Sequence, residues 1–440
     1  MDLYWASEMH SWSRPVYALG WAFVAGVVFI AYLETVEAVR RKHSLRSRQD
    51  KERKRLTERI QNVQRTRQAM EKESHTWRGF AYYHVVRKVV HGDSGICSFY
   101  LQPRDQRLGL PPFHPGQHLK FQFTIEGRPE PIVRRYSLSD AVNGKYLRIS
   151  VKLAKPPRDC PDVPPGLGSS FLHQEIKVQE GEFLQGCLLV APPNGSFYLE
   201  PLGIEPVVLI GGGVGVTPVL SMFNTILKEN PAREVWFFYG IRNSKEDILS
   251  EQGVLFPQAR EIIKLHKNLH LYTSYSRPLE GDATRLESKP EVYGKGRIDI
   301  GLLKQLLPSK HFKFYICGPD AMMAQLVDDL EDWGVPSEHL LTERFGPVKK
   351  TRMGAGPAKI KFRQTGIEAA FSDEDGFILD LAERMGVSIP NDCRSGSCGT
   401  CQIGIVTGKV CYPRKPSFRY SPNHCLTCCS VPDGDLELDA

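Results

Sequence analysis

The sequence predicts a multidomain chain. An apolar N-terminal transmembrane helix and a charged helical stalk lead into an antiparallel β-barrel. An α/β domain with a parallel sheet and a small C-terminal α+β domain follow. Three observations carry this reading. Between residues 78 and 202, short alternating runs such as LKFQFTI (119–125) and LRISVKL (147–153) are broken by Pro and Gly turns, the pattern of half-buried antiparallel strands. From 203 to 346, apolar strands alternate with helices, in VVLIGGGVGVTPVLSM (207–222), EVWFFYGIRN (234–243), LHLYTSY (269–275) and FKFYICGPDAMM (312–323), as in a parallel sheet. Beyond a linker at 347–358, seven of the eleven cysteines crowd between residues 393 and 429.

The length of 440 residues exceeds one ordinary core and fits several domains. Hydrophobic residues make up 41% and charged residues 24%, a globular composition. The net charge of +7 is concentrated before residue 80. No motif of a nucleic-acid reader accompanies it, and nucleic acid is not an expected partner.

Residues 16–33, VYALGWAFVAGVVFIAYL, carry no charge. That length just suffices for a membrane-spanning helix, with Trp21, Tyr17 and Tyr32 suited to the interface. Positive charge follows the run, in Arg40, Arg41, Lys42, Arg46, Arg48 and KERKR (51–55). The positive-inside rule then places residues 1–15 outside and the catalytic domains in the cytoplasm, a single-pass membrane protein. Residues 34–77 lack Gly and Pro and read as a basic helical stalk near anionic lipid.

Within the barrel segment, RRYSLSD (134–140) sits between two strands. The Gly-rich turn GLGSSFLHQ (166–174) enters a helix. Its free N–H groups can serve a phosphate, or Ser can act as an ordinary N-cap. In the α/β segment, the loop of Gly211, Gly213 and Gly215 runs into a helix start at Thr217 and Pro218. Such glycines let backbone approach a pyrophosphate at the positive end of the helix. After the second strand come Arg242, Ser244 and Lys245, then Glu246 and Asp247. This mixture of charges decides neither for NADH nor for NADPH.

The loop CRSGSCGTC (393–401) spaces its cysteines C-x4-C-x2-C. That spacing with one distant Cys is the plant-type [2Fe–2S] pattern. Small residues leave room for sulfides, and thiolates suit a soft metal. Zinc remains an alternative, since Cys425 and Cys428 form a second C-x2-C pair.

Taken in order, RRYSLSD, GLGSSFLHQ, PPNGSFYL (192–199), GGGVGVTP, CGPDAMM and CRSGSCGTC resemble the ferredoxin-NADP reductase superfamily fused to a plant-type [2Fe–2S] ferredoxin domain. The resemblance covers residues 78–440. It implies an FAD-binding barrel at 78–202, an NAD(P)H-binding domain at 203–346 and a β-grasp-like ferredoxin domain at 359–440. It implies that Arg134 pairs with a flavin phosphate, that Tyr136 packs on the isoalloxazine, that Ser137 faces flavin N5, and that Leu138 is also a cofactor-binding residue. Gly168, Ser169 and Ser170 hold the pyrophosphate. The Ser-bearing turn favours FAD over FMN. Cys317, Gly318 and Pro319 sit beside the nicotinamide, and no acid–base chemistry falls to Cys317. Glu343 and Phe345 reach the flavin, with Phe345 covering the ring until nicotinamide displaces it. The implied catalytic set is therefore Ser137, Cys317, Glu343 and Phe345. In the last domain, LTCCSVP matches with Cys428 as fourth ligand beside Cys393, Cys398 and Cys401. Cys429 then lies outside the site, and Cys411 and Cys425 have no role.

The resemblance further implies an NAD(P)H-dependent reductase that feeds a terminal oxygenase, desaturase or haem protein. A membrane anchor favours a membrane-associated partner. A hydride delivers two electrons together and a cluster carries one, so a flavin belongs between them. Two other readings are a subunit of a respiratory NADH:quinone reductase complex and a membrane-tethered redox sensor. The ferredoxin segment lies after the flavin segment, opposite to the order in the sodium-pumping quinone reductase. No output domain follows, which disfavours a sensor.

Overall fold

The computed structural model describes residues 79–440 except 126–130, 157–164, 177, 179–186, 201–202, 251–253, 256–258, 290–291, 347–357, 373, 392, 414–415, 417 and 419. Of residues 1–78 it describes Val36 alone, in a helix. The expected span at 16–33, nearly all of the stalk and the linker through residue 357 lie outside the described residues. Among the described residues no helix is long and apolar enough to cross a membrane. The single-pass membrane location is corrected to what the described residues carry, which is no membrane-spanning helix.

The first sheet takes β1 (Ala81–His91), β2 (Ile96–Pro103), β3 (His118–Phe123), β4 (Ile132–Ser137), β5 (Leu147–Lys152) and β6 (Leu188–Val190) in the order β4-β3-β6-β1-β2-β5. An antiparallel bridge between Leu138 and Ile149 joins the two edge strands and closes a barrel. Alternation explains its filling: Leu119, Phe121 and Phe123 of β3 point inward and are buried. Each such aromatic contributes about 2–3 kcal/mol by leaving water. Helix α1 (Leu167–Gln174) packs against the barrel, its Phe171 ring meeting Phe123 at 5.3 Å.

The second sheet is parallel. Its elements are β7 (Val207–Gly212), α2 (Val216–Glu229), β8 (Val235–Ile241), α3 (Ala259–Leu265), β9 (Leu269–Tyr275), α4 (Ala283–Ser288), β10 (Tyr293–Lys295), α5 (Ile300–Leu306), β11 (Lys313–Cys317), α6 (Asp320–Asp332) and β12 (Leu340–Glu343). The strand order is β10-β9-β8-β7-β11-β12. Every residue of β7 is buried. Val207 and Leu209 enter one core and Val208 and Ile210 the other, as a central strand covered on both faces requires. The order reverses beside β7, so the carboxyl ends of β7 and β11 border the crevice where such sheets bind ligands.

Helix α2 is buried from Val216 through Leu227, because it lies against both the sheet and the barrel. The seam is polar. Arg148 Nη2 of β5 donates to Val254 O at 2.9 Å, and Nη1 approaches Asp140 Oδ2 at 3.5 Å. Asn224 Nδ2 donates to Asp140 Oδ1 at 2.9 Å and to Val254 O at 3.1 Å. Ser221 Oγ donates to Asp140 O at 2.7 Å. Arg148 is 2% exposed, so its charge is held by these partners rather than by water.

The third body comprises β13 (Ala358–Phe362), β14 (Ile367–Phe371), α7 (Ile378–Arg384), β15 (Gln402–Thr407), β16 (Val410–Cys411), β17 (His424–Leu426), β18 (Val431–Pro432) and β19 (Leu436–Leu438). Its main sheet runs β14-β13-β19-β15-β17. First strand β13 and last strand β19 lie parallel at its centre, and α7 covers one face through Ile378, Leu379, Leu381 and Ala382.

Candidate functional site

Four strands bring together a buried polar group at the mouth of the barrel. Ser137 ends β4 and is 5% exposed. Its Oγ donates to Glu343 Oε2 at 3.2 Å. Glu343 ends β12, paired in register with Cys317 at the end of β11. His118 begins β3 and pairs with Ser137 across the ladder. Its Nδ1 lies 3.6 Å from Glu343 Oε1, within ion-pair range though longer than a hydrogen bond. Cys317 is fully buried. Burial, and then the neighbouring Glu343 carboxylate, push its thiol well above the ordinary range. It is therefore a neutral packing group and not a nucleophile.

The remaining β4 residues and α1 form a cradle beside this group. Burial pushes Tyr136 up to about 12, and its ring meets Phe121 edge-on at 5.6 Å. A Cβ at Gly168 would lie 2.8 Å from Arg134 Cγ and 3.0 Å from Tyr136 Oη, so the helix start approaches β4 as closely as glycine allows. Ser169 Oγ donates to Gly166 O at 2.8 Å and accepts from Ala154 N at 3.1 Å. Ser170 Oγ is buried without a hydrogen-bond partner. A buried hydroxyl wants a partner, and a phosphate oxygen at a helix N-terminus would supply one. The residues present thus fit a flavin diphosphate. Arg134 is exposed and donates to Val133 O at 2.8 Å. Leu138 differs from expectation: its side chain is fully buried in the barrel core and its N–H donates to Gln117 O at 2.9 Å.

A cleft of about 730 Å³ opens at the carboxyl ends of the parallel strands, lined by Gly212, Gly213, Arg242, Glu246, Pro319 and Met322 among others. The glycine loop and the Cys317–Pro319 turn meet here, since Gly215 packs directly on the carbonyl of Cys317. Thr217 and Pro218 lie in the first turn of α2, which begins at Val216, and Thr217 Oγ1 donates to Val214 O at 3.0 Å. At the far end, Arg242 Nε donates to Glu246 Oε1 at 2.9 Å. Phe345, two residues beyond Glu343, is 45% exposed.

The cysteine loop is built around one sulfur. Ser395 N, Ser397 N and Cys398 N donate to Cys393 Sγ at 3.4, 3.3 and 3.3 Å. Hydrogen bonds from the Cys398 and Cys428 thiols and from the two serines outweigh burial and hold Cys393 well below its ordinary range. Cys401 is lowered to about 7, chiefly by Cys428. Cys393 thus adjoins Cys398 and Cys428, and Cys401 adjoins Cys428, a group that bridges from the loop to the chain after β17. Among the described residues no set of three or more His, Cys, Asp or Glu side chains converges on a single metal position. A [2Fe–2S] cluster would take four thiolates, and Cys393, Cys398, Cys401 and Cys428 would supply them. The donor set, all sulfur with amide donors around it, fits such a cluster. Gly399 has φ +76°, and a Cβ there would run into the Phe418 ring.

Of the extra cysteines, Cys425 pairs with Ile403 in the sheet and is fully buried in the core. Cys411 packs against that core, and Cys429 is buried beside it. His118 escaped the sequence reading, because a single His opening a strand carries no local signal. So did the contact of Ser196 Oγ with Ser397 O at 3.0 Å, which sets the cysteine loop against the barrel turn beside His118.

Over residues 209–328 the sequence matches the oxidoreductase NAD-binding domain, and over 360–433 the 2Fe-2S iron-sulfur cluster binding domain. It is 36% identical to the flavohemoprotein of Halalkalibacterium halodurans over 272 residues, 62% of this chain and 61% of that protein. The chain therefore spans about three-fifths of that relative's length. An intact type IV self-sufficient cytochrome P450 monooxygenase is similar in fold, with a TM-score of 0.57 and 19% identity over 82% of this chain and 41% of that one. Phthalate dioxygenase reductase aligns with a TM-score of 0.46 and 22% identity over 82% of this chain and 98% of that one.

Proposed function

We propose that this oxidoreductase, a ferredoxin-reductase-type FAD/NAD-binding module with a C-terminal [2Fe–2S] domain, hands electrons singly to a terminal oxygenase or haem protein. The nicotinamide nucleotide supplies a hydride, and the flavin accepts the pair and releases it one electron at a time. The protein's own task is positioning. The glycine turn between β7 and α2 and the Cys317–Pro319 turn hold the nucleotide in the 730 Å³ cleft. Tyr136, Arg134 and the Gly168–Ser170 turn hold the flavin. Ser137, oriented by Glu343, faces its reacting edge, and exposed Phe345 stands as a displaceable cover. Cys393, Cys398, Cys401 and Cys428 hold the cluster.

One observation carries this reading: the Ser196–Ser397 contact sets the cysteine loop against the turn that adjoins the Ser137–Glu343 pair. That contact holds the cysteine-bearing domain against the rim of the site where a flavin would supply single electrons. The partner class draws support from the P450 monooxygenase whose fold this chain resembles. Anaerobic titration of the full chain with NADH, followed by visible absorption and low-temperature EPR, tests it. The expected result is flavin bleaching together with a rhombic [2Fe–2S] signal. Flavin reduction with the cluster left oxidised would defeat the proposed route.

A further inference from the structure

We propose that His118 is a positioning residue for hydride transfer: one nitrogen holds Glu343 for Ser137, and the other is completed by bound flavin. The inference rests on the flavin reading above. His118 is 7% exposed. Its place is fixed from both sides. Its backbone exchanges hydrogen bonds with Asn194, N to O and O to N, both at 2.9 Å. Gly195, with φ +120°, closes over the ring, where a Cβ would lie 2.9 Å from Nδ1. Only a residue without Cβ can sit there, so the turn clamps the imidazole.

Among the described residues, the charged partner of the clamped ring is Glu343. Glu343 is 7% exposed, and its carboxylate meets Ser137 Oγ through Oε2 and His118 Nδ1 through Oε1. Cys317 adjoins it across the β11–β12 ladder as a neutral thiol. A buried carboxylate needs donors on both oxygens. Ser137 serves one, so the imidazole is what keeps Oε1 turned away and Oε2 on the serine. An ordinary core histidine would have both nitrogens satisfied. Here Nε2 is buried and has no hydrogen-bond partner. That orphan sits one ladder step from Ser137, where a flavin ring would bring carbonyl and nitrogen acceptors. A histidine retained merely to fill space would not leave a nitrogen unpaired at that place.

The two nitrogens can be tested apart. Asn at 118 offers an amide near the Nδ1 position, Gln offers one near Nε2, and Leu offers neither. The full FAD- and cluster-loaded chain is compared with His118→Asn, His118→Gln and His118→Leu. Three quantities are read: the rate of flavin reduction by NADH and by 4-deuterated NADH in anaerobic stopped flow, the FAD dissociation constant, and iron content as a folding control. His118→Leu should slow flavin reduction about 10–100-fold, in the range of a lost positioned polar group, with NADH affinity little changed. Its FAD affinity should fall about tenfold, one hydrogen bond's worth. His118→Asn should recover most of the rate and little of the FAD affinity, and His118→Gln the reverse. Equal behaviour of Asn and Gln, or wild-type reduction in the Leu variant, would overturn the proposal. Failure of the unaltered, FAD-loaded chain to accept hydride would instead sink the electron-transfer reading, and the FAD affinities would still decide the role of Nε2.

Discussion

The cysteine loop and the Ser137–Glu343–His118 group are assembled in opposite ways. Three of the proposed cluster ligands come from one loop, Cys393 to Cys401, and the amides that serve Cys393 come from the same loop. The proposed hydride site draws His118, Ser137, Cys317 and Glu343 from four strands in two domains. The first site is specified by spacing, the second by topology. A local site should fail alone when its own residues change. A composite site should also fail when the seam between its domains is loosened.

The largest expected effect tests the first half of this contrast. Cys428→Ser should abolish the cluster, with loss of iron, of acid-labile sulfide and of the EPR signal, while the protein still retains FAD. Loss of FAD together with the iron would show that the sites are not independent. Next, Glu343→Gln should slow flavin reduction by NADH about 100-fold, as loss of a positioned carboxylate does, with iron content unchanged. Stopped flow at saturating NADH measures it.

The seam gives the third test. Arg148→Met removes a buried cation and leaves Asp140 uncompensated, at a cost of about 3 kcal/mol. The flavin-reporting melting transition should fall and hydride transfer slow, while the cluster transition stays in place. Equal shifts of both transitions would erase the contrast.

The smallest effect concerns acid. Burial opposes ionisation of Asp375, but the Ser372 amide and hydroxyl and the Arg384 guanidinium outweigh it, and the carboxyl is held below its ordinary range. A depressed folded value means that the contribution is complete above the unfolded value, about 3.9. It is lost as pH falls below that through the folded value. Asp375→Asn should cost about 1–2 kcal/mol at neutral pH, a difference that shrinks below pH 4. Urea melts of the cluster domain at pH 7 and pH 3.5 measure it.

The same contrast explains what could be read beforehand. The cysteine loop was legible because its spacing is itself the chemistry. The strands were legible from period-two alternation, as in Leu119, Phe121 and Phe123. The glycine loop announced a crevice, and the structure puts it against the Cys317–Pro319 turn. Leu138 departs from its expected place, because the residue next to Ser137 along the strand faces the other way, into the barrel. His118, Arg148 and Asp140 were invisible, since each acquires its partner from a distant segment. The N-terminal apolar run is a separate case: it lies outside the described residues, and no helix among them supplies the span it suggested.

The Arg148–Asp140–Asn224 network has a practical consequence for anyone dissecting this chain. A change of architecture near residue 203 invites a cut there, with the barrel on one piece and the nucleotide domain on the other. Such a cut would strip Arg148 of the Val254 carbonyl and Asp140 of Ser221 and Asn224. Each fragment would expose one half of a polar seam shaped for the other, alongside the apolar face of α2. The useful place to divide the polypeptide is therefore after β12, where the cysteine-bearing module can be released with its own core intact.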